Sequence, residues 1–171
     1  MPEKKLKTGD FAPLFTAADA LGREFSLADY NGKKNVVLVF LRYAGCPLCQ
    51  MALGAMKASY NEFESKDAVV AAFIQSPRER LAEAGDVSEF PFHIIPDPEE
   101  HIYRIYGVGS TNILGLANPN VLIRGLKATA KGYKQGKMEG NLWQLPADFI
   151  VGKDGRLTLA RIGKDVSDNL P

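Results

Sequence analysis

The sequence predicts a single α/β domain with a mixed central β-sheet flanked by helices. Strand-like and helix-like stretches alternate through the first two thirds of the chain, which is the order of parallel βαβ units. Near the C-terminus, two strand-like stretches are joined by Asp154-Gly155, a dipeptide typical of tight hairpin turns. The length of 171 residues and the hydrophobic content of 46% fit one domain, 1–171, with a sizeable core.

The central strand and the helix after it are the clearest elements. "KKNVVLVFL" contains a continuous apolar, valine-rich run, typical of a strand buried on both faces. A short helix at "SLADYNG" precedes it, with Ser26 as the predicted cap. Pro47 is tolerated in the first turn of a helix, and apolar residues three or four apart then predict one amphipathic helix through "MALGAMKASYNEFES".

Two more strands and two more helices complete the alternating part. "DAVVAAFIQS" and "FHIIPDP" are predicted strands, whereas "PRERLAEAG" and "PEEHIYRIYGV" have helical patterns. Because helices separate the strands, we expect crossover connections and parallel pairing in this part of the sheet.

The stretch at about 108–144 lacks a regular pattern and is predicted to be an insertion packed beside the sheet. A helix over "NVLIRGLKATAKG", broken at Gly125, is predicted inside it. The insertion also carries spaced lysines, which we interpret as a solvated face rather than an anion site. These are Lys127, Lys131, Lys134 and Lys137.

The insertion is followed by a proline at the start of a strand. Pro146 directly precedes "ADFIV", and a proline suits a strand's first residue because it cannot donate to the ladder. At such a tight start, the Leu145-Pro146 bond is predicted to be cis.

Charge and composition narrow the function classes. Lys and Arg total 21 against 20 for Asp and Glu, so the net charge is +1 and nucleic acid is not expected as a partner. Neither a secretory signal nor a membrane span is expected, because no apolar run follows the N-terminal positive charges and the longest apolar runs are strand-sized. With only two cysteines, a disulfide-stapled secreted scaffold is a poor fit, and a cytoplasmic location is expected.

Both cysteines lie close together, in the motif Cys46-Pro-Leu-Cys49. A structural zinc normally needs four Cys or His ligands, and His93 and His101 are distant in sequence, so a metal site is disfavoured. A disulfide across a two-residue loop removes little chain entropy, so a purely structural pair is also a weak explanation. The pair is therefore predicted to do chemistry, with no metal and no cofactor.

The position of the pair at the start of a helix suggests that chemistry. Unpaired backbone N–H groups and the positive end of the helix dipole lower the pKa of a thiol there. Cys46 is predicted to be the exposed attacking thiolate. Cys49, one turn further on, is predicted to be the more buried thiol that resolves the adduct as a disulfide.

Three stretches resemble a known family. "VFLRYAGCPLCQ" resembles the signature F-Y-R-x-x-x-C-P-x-C of peroxiredoxin-like proteins of the alkyl hydroperoxide reductase and thiol-specific antioxidant (redoxin) family, in the thioredoxin-fold superfamily. "KTGDFAPLFTAADALGREFSLADYNGKKNVVLVFLR" looks like the family's opening, with its N-terminal β-hairpin. "LPADFIVGKDGRLTLARIGKDVSDNLP" looks like its C-terminal β-hairpin. The resemblance implies a thioredoxin-like fold over most of the chain.

The resemblance implies a thiol-dependent antioxidant oxidoreductase that reduces hydroperoxides or protein disulfides. Cys46 would attack a hydroperoxide, become a sulfenic acid and condense with Cys49, and an external dithiol such as a thioredoxin-type protein would reduce the disulfide. Arg42 would either lie beside the thiolate, lowering its pKa or holding the leaving oxygen, or face solvent at the strand end. Pro146 falls where the fold places a cis-proline facing the active cysteines.

Two departures from the family pattern favour disulfide exchange over peroxide reduction. Tyr43 stands where peroxiredoxins carry Thr or Ser, and Pro146 stands about where they carry an Arg. A module that binds a partner or senses redox state without turnover stays an alternative, with the insertion as its surface. Related proteins continue beyond "DVSDNLP" into a further helix, so a homodimer is considered as the cover for the exposed apolar face.

Overall fold

The computed structural model describes residues 5–112, 114 and 117–169. Its strands are β1 (Thr16–Ala18), β2 (Glu24–Ser26), β3 (Asn35–Phe40), β4 (Ala68–Ile74), β5 (His93–Pro96), β6 (Ala147–Val151) and β7 (Leu157–Ile162). Its α-helices are α1 (Pro47–Ala58), α2 (Tyr60–Ser65), α3 (Arg78–Ala84), α4 (His101–Ile105) and α5 (Pro119–Ala130). Short 3-10 turns lie at Leu27–Tyr30 and Val87–Glu89.

The predicted mixed sheet is confirmed. Five strands pair in the order β5-β4-β3-β6-β7, with β3, β4 and β5 parallel and with β6 and β7 antiparallel to their neighbours. The valine-rich run predicted as the central strand is β3, which pairs on both sides, with β4 and with β6. Because parallel strands end at the same edge of the sheet, the loops after β3 and β4 lie side by side.

The two predicted hairpins are also present. β1 and β2 form a separate two-stranded antiparallel sheet, and β6 and β7 are joined by the turn that contains Asp154-Gly155. Gly155 has a φ of 77°, a left-handed conformation that glycine adopts without steric cost.

Two helix predictions need correction. The amphipathic pattern after the cysteines forms two helices rather than one, since Ser59 separates α1 from α2. In the insertion, α5 runs unbroken through Gly125, because a glycine inside a helix costs only about 1 kcal/mol relative to alanine. Leu122 and Leu126, which share one side of α5, are exposed, at 67% and 63%.

The Leu145-Pro146 bond is trans, so the prediction of a cis bond is wrong. No cis peptide bond occurs among the described residues. The chain enters β6 without a reversal that would require one: Leu145 N–H donates to the Gly109 carbonyl at 3.1 Å, and the Pro146 carbonyl accepts from Gly163 N–H at 2.8 Å. The trans form is also the intrinsically preferred one, by about 0.5–1 kcal/mol.

Phe40 lies at the centre of the core beneath the sheet. It is fully buried, and its ring stacks on Phe73 with centroids 4.5 Å apart and meets Tyr103 edge-on at 5.0 Å. We expect Phe40→Ala to lower the free energy of unfolding by about 3–5 kcal/mol, because it removes a large apolar group and leaves a cavity. Urea unfolding followed by circular dichroism measures this, and a loss below about 1 kcal/mol would contradict it.

Candidate active site

The site is built where β3 passes into α1. Cys46 is the N-cap of α1 and Pro47 is its first residue, so the helix begins at the cysteine as predicted. The Cys46 Sγ accepts a hydrogen bond from the backbone N–H of Cys49 at 3.4 Å. This N–H is one of the donors that a helix N-terminus leaves unpaired, and it stabilises negative charge on the sulfur.

Arg42 lies beside the thiolate, one of the two positions that the sequence left open for it. Its Nη2 donates to Cys46 Sγ at 3.2 Å, and its Nη1 donates to the Leu142 carbonyl at 3.0 Å. Its backbone N–H donates to Cys49 Sγ at 3.3 Å. The side chain is 9% exposed, so its charge acts on the sulfur with little screening by solvent.

One donor of Arg42 is unused. Among the described residues, the buried Nε–H of Arg42 has no hydrogen-bond partner. Buried polar groups are nearly always paired in native proteins, so an N–H left over beside a thiolate is available for an acceptor atom of a substrate.

The two thiols have opposite pKa shifts. The pKa of Cys46 is lowered from 9.0 to about 6, by a hydrogen bond from the Cys49 thiol and by the charge of Arg42, against the opposing effect of burial. The pKa of Cys49 is raised well above its ordinary value, mainly because the thiol is buried and also because it donates to Cys46. Cys46 is therefore the thiolate near neutral pH, and Cys49 remains a protonated thiol.

The lowered pKa of Cys46 predicts a pH dependence. We expect the rate of Cys46 alkylation by a small reagent to rise with pH through a midpoint of about 6 and to level off above about pH 7, because only the thiolate reacts. Stopped-flow alkylation of the reduced protein from pH 4 to 10 would measure the profile. A midpoint above about 8 would contradict the assignment, and Cys49→Ser removes any contribution from the second thiol.

The predicted exposure of Cys46 is wrong, since both thiols are buried. Cys46 is 0% exposed and Cys49 is 4% exposed. Part of the predicted insertion, residues 131–142, which we name the strap, packs against the loop that carries them. Its Gly136 N–H donates to the Gly45 carbonyl at 2.8 Å. Sequence patterns could not reveal this cover because the strap is about 90 residues away from the cysteines.

Tyr43, which the resemblance places where the family carries Thr or Ser, is also bound by the strap. The amide of Gln135 donates to the Tyr43 hydroxyl at 3.0 Å, and Tyr43 is buried. Burial, partly offset by this hydrogen bond, raises the pKa of Tyr43, so the phenol stays protonated near neutral pH.

Pro146 is buried directly before β6. Its ring packs so closely against Gly163, the residue after β7, that a Cβ on Gly163 would lie 2.8 Å from the proline Cγ. A role for Pro146 opposite the cysteines stays a prediction.

Three residues that the sequence did not single out take part in the site. Ser76, which follows β4, accepts from Ala44 N–H at 2.8 Å and donates to the carboxylate of Glu139 in the strap. Gln75 accepts from Asn141 N–H at 2.8 Å. Only the position of Ser76 and Gln75 at the end of a predicted strand next to β3 could have indicated them, because parallel strands bring such residues to one edge.

No metal-binding cluster is found within the described ranges: nowhere do three or more His, Cys, Asp or Glu side chains come together in a way that could hold an ion. Across the same residues, no helix has the length and hydropathy to cross a membrane.

A helix-capping thiolate with a second thiol one turn away, on a thioredoxin-like α/β sheet, defines a thiol-dependent oxidoreductase. The family model described as the AhpC/TSA family matches residues 8–160. The chain therefore belongs to the AhpC/TSA family and is a peroxiredoxin-like enzyme of thiol chemistry.

Individual relatives agree with this assignment. The chain is 25% identical to a protein named as a peroxiredoxin in Mycobacterium tuberculosis, over 92% of this chain and 85% of that protein. It is 31% identical to the alkyl hydroperoxide reductase E of Mycobacterium bovis, over 69% of this chain and 78% of that protein.

Solved structures share the fold at low sequence identity. A peroxidoxin from Mycobacterium tuberculosis has a TM-score of 0.68 at 18% identity and covers 95% of this chain and 90% of that one. A structure described as a thiol:disulfide interchange protein from Chlorobium tepidum has a TM-score of 0.62 at 19% identity, over 92% and 86% of the two chains. These likenesses confirm the predicted thioredoxin-like architecture.

Proposed function

We propose that the protein is a thiol peroxidase in which Cys46 attacks a hydroperoxide and Cys49 resolves the product. The observation that carries the proposal is the Cys46 thiolate held by Arg42, whose Nε–H has no partner among the described residues. A hydroperoxide offers two adjacent oxygens, one to be attacked by sulfur and one that gains negative charge. The unused N–H supplies a donor for that second oxygen.

The reaction balances in three steps. The Cys46 thiolate attacks the nearer oxygen, the O–O bond breaks, and the leaving oxygen takes a proton to give an alcohol or water and a sulfenic acid on Cys46. The Cys49 thiol then attacks the Cys46 sulfur, releasing water and forming the disulfide. An external dithiol exchanges with this disulfide and returns both thiols.

The surroundings of the site supply space for an organic substrate. A mostly apolar groove of about 340 Å³ runs along α1; it reaches Ala44 in the cysteine loop but is lined by neither thiol nor by Arg42. It includes Ala44, Leu53, Ile74, Leu81 and Phe90. This lining supports organic hydroperoxides as substrates alongside hydrogen peroxide, because an alkyl group bound in the groove would be removed from contact with water.

Disulfide exchange is the second candidate activity, favoured by the placement of both cysteines in one helical turn. The burial of both sulfurs disfavours a protein disulfide as the usual substrate, because its sulfur must reach Cys46 Sγ.

A module without turnover is disfavoured by the lowered pKa of Cys46. A thioredoxin-type reductant, a homodimer and a cytoplasmic location stay predictions.

The test compares the rates at which a hydroperoxide and a small disulfide oxidise the reduced wild-type protein. We expect one hydroperoxide to be consumed per pair of thiols lost, much faster than with a free cysteine peptide, and a small disulfide to react more slowly. A peroxide rate equal to that of the free peptide, together with a fast disulfide reaction, would replace the peroxidase with a disulfide oxidoreductase. Slow reactions with both oxidants would favour the module.

A further inference from the structure

The strap, residues 131–142, is joined to the cysteine loop and to the end of β4 by hydrogen bonds along residues 135–142. It contains no helix or strand, and the side chains of Lys134, Lys137 and Met138 at its middle are exposed. Few regular backbone bonds and high exposure are the marks of a segment that opens at low free-energy cost. The sulfur it covers must nevertheless meet its substrate.

The first attachment joins the strap to the loop between β3 and α1. Gly45 and Gly136 pack backbone against backbone: a Cβ on Gly45 would lie 2.6 Å from the Lys137 carbonyl oxygen, and one on Gly136 would lie 2.9 Å from the Gly45 Cα. Neither glycine needs a positive φ. Their small size is therefore what allows the strap to close, rather than an unusual backbone conformation.

The second attachment joins the strap to the end of β4 and to α3. The Glu139 carboxylate accepts from the Ser76 hydroxyl and lies 3.6 Å from the Nε of Arg80. Ser76 in turn accepts from Ala44 N–H, two residues before Cys46. Glu139 therefore connects the strap to the backbone of the cysteine loop through a single hydroxyl.

We propose that the strap determines substrate size at Cys46, with Gly136 and Glu139 as its specificity-determining residues. In the closed state, no bulky disulfide or protein reductant reaches the Cys46 sulfur, whereas a small hydroperoxide needs only a slight opening. A protein-sized partner reacts only after the strap leaves Gly45 and Ser76. The selection of small hydroperoxides over bulky disulfides rests on the proposed function. The control of reagent access to Cys46 does not rest on it.

The test measures Cys46 modification in the full-length protein with a small reagent, iodoacetamide, and a bulky aromatic disulfide, dithiobis(nitrobenzoate). Both are used on a Cys49→Ser background, so that a single thiol reports. We expect Gly136→Ala, whose methyl group would lie 2.9 Å from the Gly45 Cα, and Glu139→Ala, which removes the acceptor for the Ser76 hydroxyl, each to raise the bulky-reagent rate by about tenfold. This is the effect of weakening the closed state by about one hydrogen bond. The iodoacetamide rate should rise by less than about twofold.

Gly125→Ala in α5 is the matched control, because a Cβ there meets no atom within 4 Å. It should leave both rates unchanged. The proposal is overturned if neither strap variant changes the ratio of the two rates, or if Gly125→Ala changes it equally. Should Gly136→Ala fail to fold, Glu139→Ala decides alone. If the strap variants change the ratio of the two reagent rates as expected but the wild-type protein does not turn over peroxide, the result supports the proposal for the strap and rejects the peroxidase.

Discussion

Replacing Cys46 by serine is expected to abolish hydroperoxide consumption, down to the rate of the uncatalysed reaction. A serine hydroxyl stays protonated near neutral pH and is a far weaker nucleophile toward the O–O bond than a thiolate. Cys49→Ser should behave differently. It keeps an O–H that can donate to the Cys46 sulfur, so the first attack proceeds once and the sulfenic acid then accumulates because no second thiol resolves it.

Mass spectrometry after one equivalent of peroxide distinguishes these outcomes. Cys49→Ser should carry one added oxygen on Cys46 and react with a sulfenic-acid reagent such as dimedone, whereas Cys46→Ser should remain unmodified. If Cys46→Ser consumed peroxide while Cys49→Ser did not, the roles of attacker and resolver would be reversed. Matching circular dichroism spectra would exclude misfolding as the reason for lost activity.

Replacing Arg42 by glutamine is expected to have the next largest effect, a loss of about 100- to 1000-fold in the peroxide rate at pH 7. Two losses combine here. The positive charge that lowers the pKa of Cys46 disappears, and so does the Nε–H that would hold the leaving oxygen. With a pKa of about 6, roughly nine tenths of Cys46 is thiolate at pH 7, and this fraction falls about tenfold for each unit of pKa above 7.

The two contributions of Arg42 separate with pH. In Arg42→Gln, raising the pH to about 9 should restore the part of the peroxide rate that was lost because less Cys46 is thiolate. The part lost because the Nε–H donor is absent should remain lost. Arg42→Lys, which keeps the charge, should keep a Cys46 pKa below its ordinary value. An unchanged pH profile in Arg42→Gln would show that Arg42 does not tune the thiolate. Because Arg42 also binds Leu142 in the strap, we expect faster modification by bulky reagents as well.

The fold could be predicted in outline because its signals are local. β3 is recognisable from a run of consecutive apolar residues rich in valine, and the start of α1 from a cysteine followed by Pro47. The errors occurred where local preference was weak. Gly125 does not end α5, since its cost is smaller than the stability of a twelve-residue helix with a capping Asn118. Leu145-Pro146 is trans because the tertiary hydrogen bonds around it require no reversal.

By itself, the sequence determined the order of the strands and most helices and the placement of Cys46 and Cys49 in the first turn of a helix. The division between an attacking and a resolving thiol, which follows from that placement, stays a prediction. Only the tertiary structure decided that Arg42 turns inward to the sulfur, that Ser76 and Glu139 connect to its loop, and that the strap packs against this loop while both thiols are buried. The physical reason is the sequence separation over which each kind of signal acts. Periods of 2 and 3.6 residues and capping preferences act between neighbours, whereas these contacts join residues up to 100 positions apart, which only packing brings together.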